Sequence, residues 1–464
     1  MKMLRYYQLN KVSLYVLCLP LLMVGINSHA EENDWFQHTS IQGFVSQTII
    51  STTDNNFLGS TDDRLSFDFW EAGMLVNTKV IDKLSFSSQL LGREVSPATG
   101  IQTRIDFAFF SYPFIQGMNY TVGARLGRIR SSFGFYNETR DIPHTRTGII
   151  MPQSLYYDMT RNSFYSADGV EFFAHRDIGE NRLSFQVFFS NPVEEKEELK
   201  EAARLNPDEF DGNKGILAKI TYGSEFDGFR VGFTYFKPEY NVDVSPSFTS
   251  NAALYGLNPE EFDVEFFGEN SSFYSENMVT SIEYNRFDWS ITFEYSRHKF
   301  NTRINTDVTR SLTEATINQL NGGAGGTFLS YLKSTAFETF ATLSGVDGGA
   351  SAVIQEFYDN AELARNSNFY EEAFYLQGLY RIDDQWDVYL RYDYSQPHVK
   401  GHIDLVSKWK DINVGSTYRP DENWLVRAEF HYIEGGNRLF SRDNPAGATA
   451  VYWTAAMLQL AYKW

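Results

Sequence analysis

The sequence almost lacks cysteine: its 464 residues include one, Cys18, which lies within the first thirty. Once that segment is removed, the chain can form no disulfide, no thiolate metal site, no cysteine nucleophile and no haem attachment. The eight histidines are scattered along the chain. We therefore expect no metal site and no cofactor.

The motifs of common enzymes and of nucleic-acid binders are also missing. The sequence has no Gly-x-Ser-x-Gly elbow, and the glycines of 322–326 are not followed by the Lys-Ser/Thr pair of a phosphate-binding loop. Its 59 acidic residues outnumber 40 Lys and Arg, giving a formal charge of −19. This excess argues against binding to a phosphate backbone, which depends on clustered cations. We expect a protein that is not an enzyme.

Long apolar runs are confined to the amino-terminal segment. Lys2, Arg5 and Lys11 precede the apolar stretch 12–26, and small residues around Ala30 follow it. This order is typical of a cleaved secretory signal peptide. No later stretch is long and apolar enough for a transmembrane helix. We expect a signal peptide over 1–30 and one mature domain over 31–464.

Aromatic residues are abundant, at 16% of the chain. They recur at every second position in segments that alternate with polar residues, including 183–190, 287–296, 386–395 and 424–432. A period of two predicts strands with one apolar face and one polar face. The protein is therefore expected to be all-β.

The connections between these strands are of two alternating kinds. Seven are short and polar: 81–83, 116–119, 177–181, 225–228, 285–288, 383–385 and 420–423. Eight are longer: 55–63, 97–100, 131–167, 192–213, 238–275, 302–368, 396–403 and 434–449. Fifteen connections imply about sixteen strands, and the alternation is typical of a transmembrane antiparallel β-barrel with short periplasmic turns and long extracellular loops.

The end of the chain agrees with export to a bacterial outer membrane. Leu458, Leu460, Tyr462 and Trp464 share one face of an alternating segment. A terminal aromatic in such a strand resembles the carboxyl-terminal signal of outer-membrane proteins. A secreted β-sandwich or propeller is the soluble alternative, but it does not predict the two-sided difference in connection length.

Strand parity places several charged residues on the face that would point into the barrel. They include Asp393 together with Arg93, Arg104, Asp106, Arg125, Glu283, Glu294, Arg391, Arg427 and Glu429. Arg93, Arg104 and Arg125 lie on successive strands and could form a basic strip opposite Glu283 and Glu294, which would select solutes by charge. Alternatively, these groups are mutual ion pairs that stiffen the wall.

The third long connection has the most distinctive sequence. Residues 127–158 contain Arg128, Arg130, Arg140 and Arg146 together with turn-forming Gly and Pro. Here the chain resembles the bacterial porin superfamily, especially porins akin to the phosphate-selective O/P type. The resemblance implies that this connection folds into the barrel and forms the constriction, and that the protein is a homotrimer. Glu138, and a lack of Lys in the loop, depart from the phosphate-selective pattern.

These observations predict an outer-membrane porin, a water-filled channel for passive diffusion of small hydrophilic solutes or ions, with a preference for anions as a finer expectation. Outer-membrane lipid and lipopolysaccharide are the other expected partners. An adhesin or partner-binding barrel remains an alternative, as does, less favoured, a surface hydrolase. The expected pore-lining and constriction residues are Arg93, Arg104, Asp106, Arg125, Arg128, Arg130, Glu138, Arg140, Arg146, Glu283, Glu294, Arg391, Arg427 and Glu429.

Overall fold

The computed structural model of the chain describes most of the expected mature domain. The described residues are 38–96, 100–193, 209–224, 227–244, 247–248, 264–265, 268–303, 368–398, 408–440, 443–444 and 449–464. The expected signal peptide, the acidic run 194–208 and most of the connection 302–368 lie outside them.

Within the described residues, sixteen strands form one closed antiparallel barrel, in which each strand pairs with its neighbours along the chain and β1 pairs with β18. Two further two-residue strands, β10 and β11, pair with each other. The bounds are β1 Thr39–Thr52, β2 Trp70–Ile81, β3 Leu84–Glu94, β4 Gln102–Gln116, β5 Tyr120–Arg130, β6 Ser166–Ile178, β7 Asn181–Pro192, β8 Glu209–Gly223, β9 Gly228–Val244, β10 Ser247–Phe248, β11 Val264–Glu265, β12 Gly268–Asn285, β13 Trp289–Arg303, β14 Asn368–Arg381, β15 Trp386–His398, β16 Trp409–Tyr418, β17 Trp424–Gly435 and β18 Tyr452–Lys463.

The barrel confirms the fold class and the strand count expected from the sequence. The short connections join β2 to β3, β4 to β5, β6 to β7, β8 to β9, β12 to β13, β14 to β15 and β16 to β17. Because the strands are antiparallel neighbours, all of these turns lie at one end of the barrel and the longer connections lie at the other.

The two faces of each strand differ as their alternation predicts. Leu126, Leu390 and Leu458 on the outer face have 60%, 58% and 47% of their surface exposed, whereas Arg391 beside Leu390 is 1% exposed. Successive side chains of a strand point to opposite faces, so alternating apolar and polar residues separate onto the outside and the inside. The barrel therefore carries many of its charged residues within.

Toward the end with the long connections, the interior of the barrel is filled by residues of these connections and is not left open. One cluster of buried apolar side chains joins Phe133 and Tyr156 of the β5–β6 connection to Phe188, Leu217 and Phe236 on the wall. A second cluster joins residues of the first, second, third and last long connections to β1 and β16–β18, namely Ile50, Phe57, Leu58, Phe69, Val95, Ile149, Ile150, Trp409, Ile433, Leu439, Phe440, Trp453, Ala455 and Met457. The hydrophobic core of this protein is thus inside the barrel.

The β5–β6 connection contains several short helical turns. They are 3-10 turns at Asn137–Thr139, Pro143–Thr145 and Asp158–Thr160 and one α-helical turn, Arg161–Phe164. Over the described residues, no helix is long and apolar enough to cross a membrane.

Gly127 of β5 lies where β4 and β5 approach closely, so a substitution there can test that approach. Its φ is +135°, and a Cβ there would lie 2.3 Å from the carbonyl oxygen of Ala108, whereas a Cβ on Gly378 of β14 would meet nothing within 4 Å. We predict that Gly127→Ala lowers the free energy of unfolding by about 1–3 kcal/mol because the backbone must shift. Gly378→Ala, the matched control, should be neutral or slightly stabilising. Urea titration in detergent measures both, and equal effects would contradict the prediction.

Candidate functional site

The connection between β5 and β6, residues 131–165, which we call the inner loop, crosses the barrel interior. On one side the Arg146 guanidinium lies 2.6 Å from a Glu71 carboxylate oxygen on β2. On the other side the Tyr156 hydroxyl donates to Glu294 on β13, at 2.6 Å. Because β2 and β13 belong to opposite walls of the closed ring, the inner loop spans the lumen.

Ion pairs hold the inner loop to the wall formed by β2, β3 and β4. The Arg93 guanidinium of β3 donates to both carboxylate oxygens of Asp158, at 2.9 and 3.1 Å. Asp106 of β4 accepts from Arg130 at 2.6 Å and from Arg161 at 3.3 Å. Charge-assisted hydrogen bonds of this kind are stronger than neutral ones. These hydrogen bonds fix the position of the inner loop relative to β3 and β4.

The opposite wall holds the loop through one buried carboxylate. Glu294 accepts hydrogen bonds from the Tyr156 hydroxyl at 2.6 Å, the Phe135 amide at 2.9 Å and the Tyr375 hydroxyl at 2.7 Å. Ser281 also donates to it. With this many donors the buried carboxylate needs no cation, and its contacts join the loop to β12, β13 and β14.

Charged side chains of β15 and β17 contact the loop backbone. Arg427 donates to the carbonyl oxygens of Arg146 and Gly148, both at 2.9 Å, and Arg391 donates to that of Ile150 at 3.2 Å. Because these buried loop carbonyl groups accept hydrogen bonds from arginine side chains, most of the free-energy cost of removing them from water is offset. The loop is therefore enclosed by the wall on this side as well.

Charge-charge contacts set the protonation of the inner loop itself. Burial raises the pKa of the Asp158 carboxyl, but Arg93 and Arg140 outweigh burial, so the pKa lies below its usual value. For the Arg161 guanidinium, burial lowers the pKa, while Asp141 and Asp106 more than compensate and raise it. Both groups stay charged, and their ion pairs persist across the physiological pH range.

The wall of β5 to β8 carries charged side chains that remain in contact with water. There the side chains of Arg125 and Glu138 keep 27% and 39% of their surface exposed. Arg125 pairs with Glu171 at 2.7 Å, and Lys219 lies 3.6 Å from Glu138. These four residues, which we call the wet cluster, contrast with Arg427, which is fully buried under the loop.

The residues expected to line a pore fall into three groups. Arg125 and Glu138 belong to the wet cluster. Arg128 faces away from the lumen, because it pairs across the outer face with Asp168 at 2.8 Å. The remaining eleven point inward but are largely covered, as is Asp393; they are Arg93, Arg104, Asp106, Arg130, Arg140, Arg146, Glu283, Glu294, Arg391, Arg427 and Glu429.

The structure resolves the two interpretations of the inward charges in favour of ion pairs. Arg93, Arg104 and Arg125 lie on adjacent strands, as expected for a strip, but each guanidinium has a carboxylate partner. Glu283 on the opposite wall pairs in turn with Arg230 at 3.1 Å. These residues therefore form separate ion pairs and not two facing strips of opposite charge.

Several residues of the interior were not among those expected from the sequence. They are Glu71, Asp141, Asp158, Arg161, Glu171 and Lys219. Strand parity was a usable signal for Glu171 and Lys219, since Glu171 lies directly opposite Arg125 on the next strand. No periodic signal marks Asp141 or Arg161, because the inner loop has no regular repeat.

The described residues contain no group of three or more His, Cys, Asp or Glu side chains arranged to hold a metal ion. The carboxylates of the interior are instead taken up by guanidinium, hydroxyl and amide donors. The interior of the barrel therefore provides a polar wall with a small number of fixed charges.

No family model and no curated protein matches the sequence. Solved structures do match. Outer-membrane-expressed OmpT of Vibrio cholerae aligns with 92% of this chain and 97% of its own, at 11% identity and a TM-score of 0.50. This chain has the fold of an outer-membrane barrel. A trimer form of in-vitro folded OmpT from the same organism aligns with 92% of this chain and 99% of its own, at 11% identity and a TM-score of 0.50.

OmpF of Salmonella typhi in complex with daunomycin is a further similar structure, with 14% identity, a TM-score of 0.49, and coverage of 92% of this chain and 97% of its own. Identities this low establish the fold of the barrel alone. The finer resemblance to porins akin to the phosphate-selective O/P type stays a prediction.

Glu294 offers a test of how the inner loop is held in this barrel. We predict that Glu294→Gln weakens the loop by about 1–3 kcal/mol, because the new amide nitrogen faces hydroxyl and amide donors. Amide hydrogen exchange over 131–165 should then be faster than in the unmodified protein. Glu239→Gln, which removes an outer-face ion pair with Lys214, is the control and should leave that exchange unchanged. Unchanged exchange in both variants would remove Glu294 from this role.

Proposed function

We propose that this protein is an outer-membrane channel for passive diffusion of small hydrophilic solutes. The observation that carries the proposal is a closed barrel with an apolar outside and a polar interior, in which the wet cluster keeps charged groups in contact with water. A barrel built only as a membrane anchor would not need such a water-exposed wall. The fold shared with outer-membrane barrels supports the same assignment.

The location in the membrane follows from the outer face. Its exposed apolar side chains suit a lipid environment, where a closed sheet satisfies every backbone hydrogen bond internally. Toward the long-connection end this face becomes polar: Lys214 lies 3.4 Å from Glu239, and Lys237 lies 3.4 Å from Glu276. In our proposal this polar rim meets the headgroups, including lipopolysaccharide, and the short turns are periplasmic.

The passage that we propose is narrow. The inner loop is packed against β2–β4 and β12–β17, and its Phe133 and Tyr156 also reach Phe188 of β7 and Leu217 of β8. Solutes would therefore move along the wall of β5 to β8 nearer the short turns, at the level of Lys219. On that wall Gln186 of β7 lies between Phe173 and Lys219 in the register of the sheet. A passage bounded by such side chains favours small solutes and excludes bulky ones.

The charges of the wet cluster are balanced, two cationic groups against two carboxylates. Arg125 is more exposed than its partner Glu171, whereas Glu138 is more exposed than its partner Lys219. A preference for anions, expected from the arginines of the sequence, is therefore proposed to be weak. Assembly as a homotrimer is proposed on the likeness to a protein with a trimer form.

Conductance in planar bilayers tests the proposed function. Purified folded protein should give stepwise conductance, and Gln186→Trp should reduce each step because the larger ring narrows the passage. Val187→Trp on the outer face of the same strand is the matched control and should conduct like the unmodified protein. Folded protein without conductance would reject the channel and favour a partner-binding barrel; equal steps in both variants would reject the position of the passage.

The wet cluster also predicts opposite changes in ion selectivity. Arg125→Gln removes a cation from the passage and should shift the reversal potential in a salt gradient toward that of a cation-selective channel. Glu138→Gln removes an exposed carboxylate and should shift it toward anions. The unmodified channel should lie between the two. Shifts of the same sign, or none at all, would contradict the assignment of these residues to the passage.

A further inference from the structure

The ion-pair network between the inner loop and β2–β4 carries more positive than negative charge. Among the described residues, it contains the six arginines and four carboxylates of the following contacts, Arg93, Arg104, Arg130, Arg140, Arg146, Arg161, Glu71, Asp106, Asp141 and Asp158. The guanidinium side chains are between 3% and 14% exposed. Solvent therefore does little to screen the excess.

A small cavity lies at the centre of this network. Its volume is about 10 Å³, enough for one particle of the size of a water molecule. Four of the six arginines line it, together with Glu71, Asp141, Asp158 and Gln153. The rest of the lining is apolar, namely Phe69, Ile149, Ile150 and Met151. Four guanidinium groups against three carboxylates leave an excess of positive charge, which favours an anion.

Two donors beside the cavity have no hydrogen-bond partner within the described part of the chain. They are Nε of Arg93 and Nε of Arg146, on side chains that are each about 5% exposed. A buried donor that lacks an acceptor costs roughly 1–3 kcal/mol, and more when it is charged. An acceptor in the cavity would remove part of that cost.

The titration of Arg140 agrees with an excess of positive charge. Burial and the neighbouring Arg161 guanidinium lower the pKa of Arg140 to about 10, and Asp158 only partly opposes them. The Arg161 cation adds to the effect of burial at Arg140, whereas at Arg161 the carboxylates outweigh burial and raise the pKa.

We propose that this cavity binds a single halide ion, chloride under ordinary conditions, which neutralises part of the excess charge and holds the inner loop against β2–β4. The size of the cavity selects a monoatomic anion and excludes phosphate or sulfate. This inference concerns the fixing of the loop and does not depend on solute passing through the barrel.

Crystals of the unmodified protein grown with bromide in place of chloride test the site directly. The expected result is an anomalous peak in the cavity between Arg93 and Arg146. An ordered inner loop with no anomalous peak at that place would overturn the proposal, because bromide scatters anomalously and water does not. This readout is independent of conductance, so it separates the halide site from the proposed channel.

A variant that supplies the missing negative charge gives a second test. Gln153→Glu places a carboxylate beside the cavity with little change of shape. In detergent, the melting temperature of the unmodified protein should be higher in sodium chloride than in sodium gluconate of equal ionic strength, because a ligand that binds the folded state stabilises it. In Gln153→Glu this chloride dependence should vanish, while the loss of the hydrogen bond from Gln153 Nε2 to the Met151 carbonyl oxygen lowers the melting temperature equally in both salts.

Asn277→Asp is the matched control, a buried amide replaced by a carboxylate on β12, away from the network. It should lower the melting temperature in both salts and keep the dependence on chloride. If Gln153→Glu behaves like Asn277→Asp, or if the unmodified protein melts equally in both salts, the halide site is rejected.

Discussion

Closure of the backbone hydrogen-bond ladder is the constraint on which the rest of this structure depends. Because β1 pairs with β18, the sheet has no open edge whose N–H and C=O groups would lack partners. Once the ring is closed, each residue of a strand points either outward or to the interior. Leu390 and Arg391 are neighbours in the chain, yet one is exposed outside and the other is buried inside.

The polar interior then creates its own requirement. Charged side chains that leave bulk water need partners, and the inner loop supplies many of them. Glu294 accepts hydrogen bonds from tyrosine hydroxyls and from a loop amide, and Arg427 donates hydrogen bonds to loop carbonyl oxygens. The loop and the wall satisfy each other, which is why most inward charges hold the loop instead of facing an open channel. Along β5 to β8, charged groups such as Arg125 remain in contact with water.

Strand parity predicted much of this arrangement from sequence. Every inward residue assigned by parity within a strand, such as Arg93, Glu283 or Glu429, points into the barrel. Arg128 was grouped with the inner loop because it stands near the end of β5, and it was wrongly expected to face the lumen. It is still within the ladder, opposite Asp168, and therefore faces outward. Arg130 has the same parity as Arg128, but β5 ends there, and its guanidinium reaches Asp106 inside.

The sequence by itself determined the class of fold, the strand number, the placement of short and long connections, and the side on which strand residues lie. Each of these depends on a local repeat or on punctuation by turn residues. Only the tertiary structure decided which arginine pairs with which carboxylate and how the inner loop packs against the walls of the barrel. It also decided where a small cavity remains with an excess of positive charge. Such pairings join residues far apart in the chain, as Arg146 joins Glu71, and no local pattern encodes them.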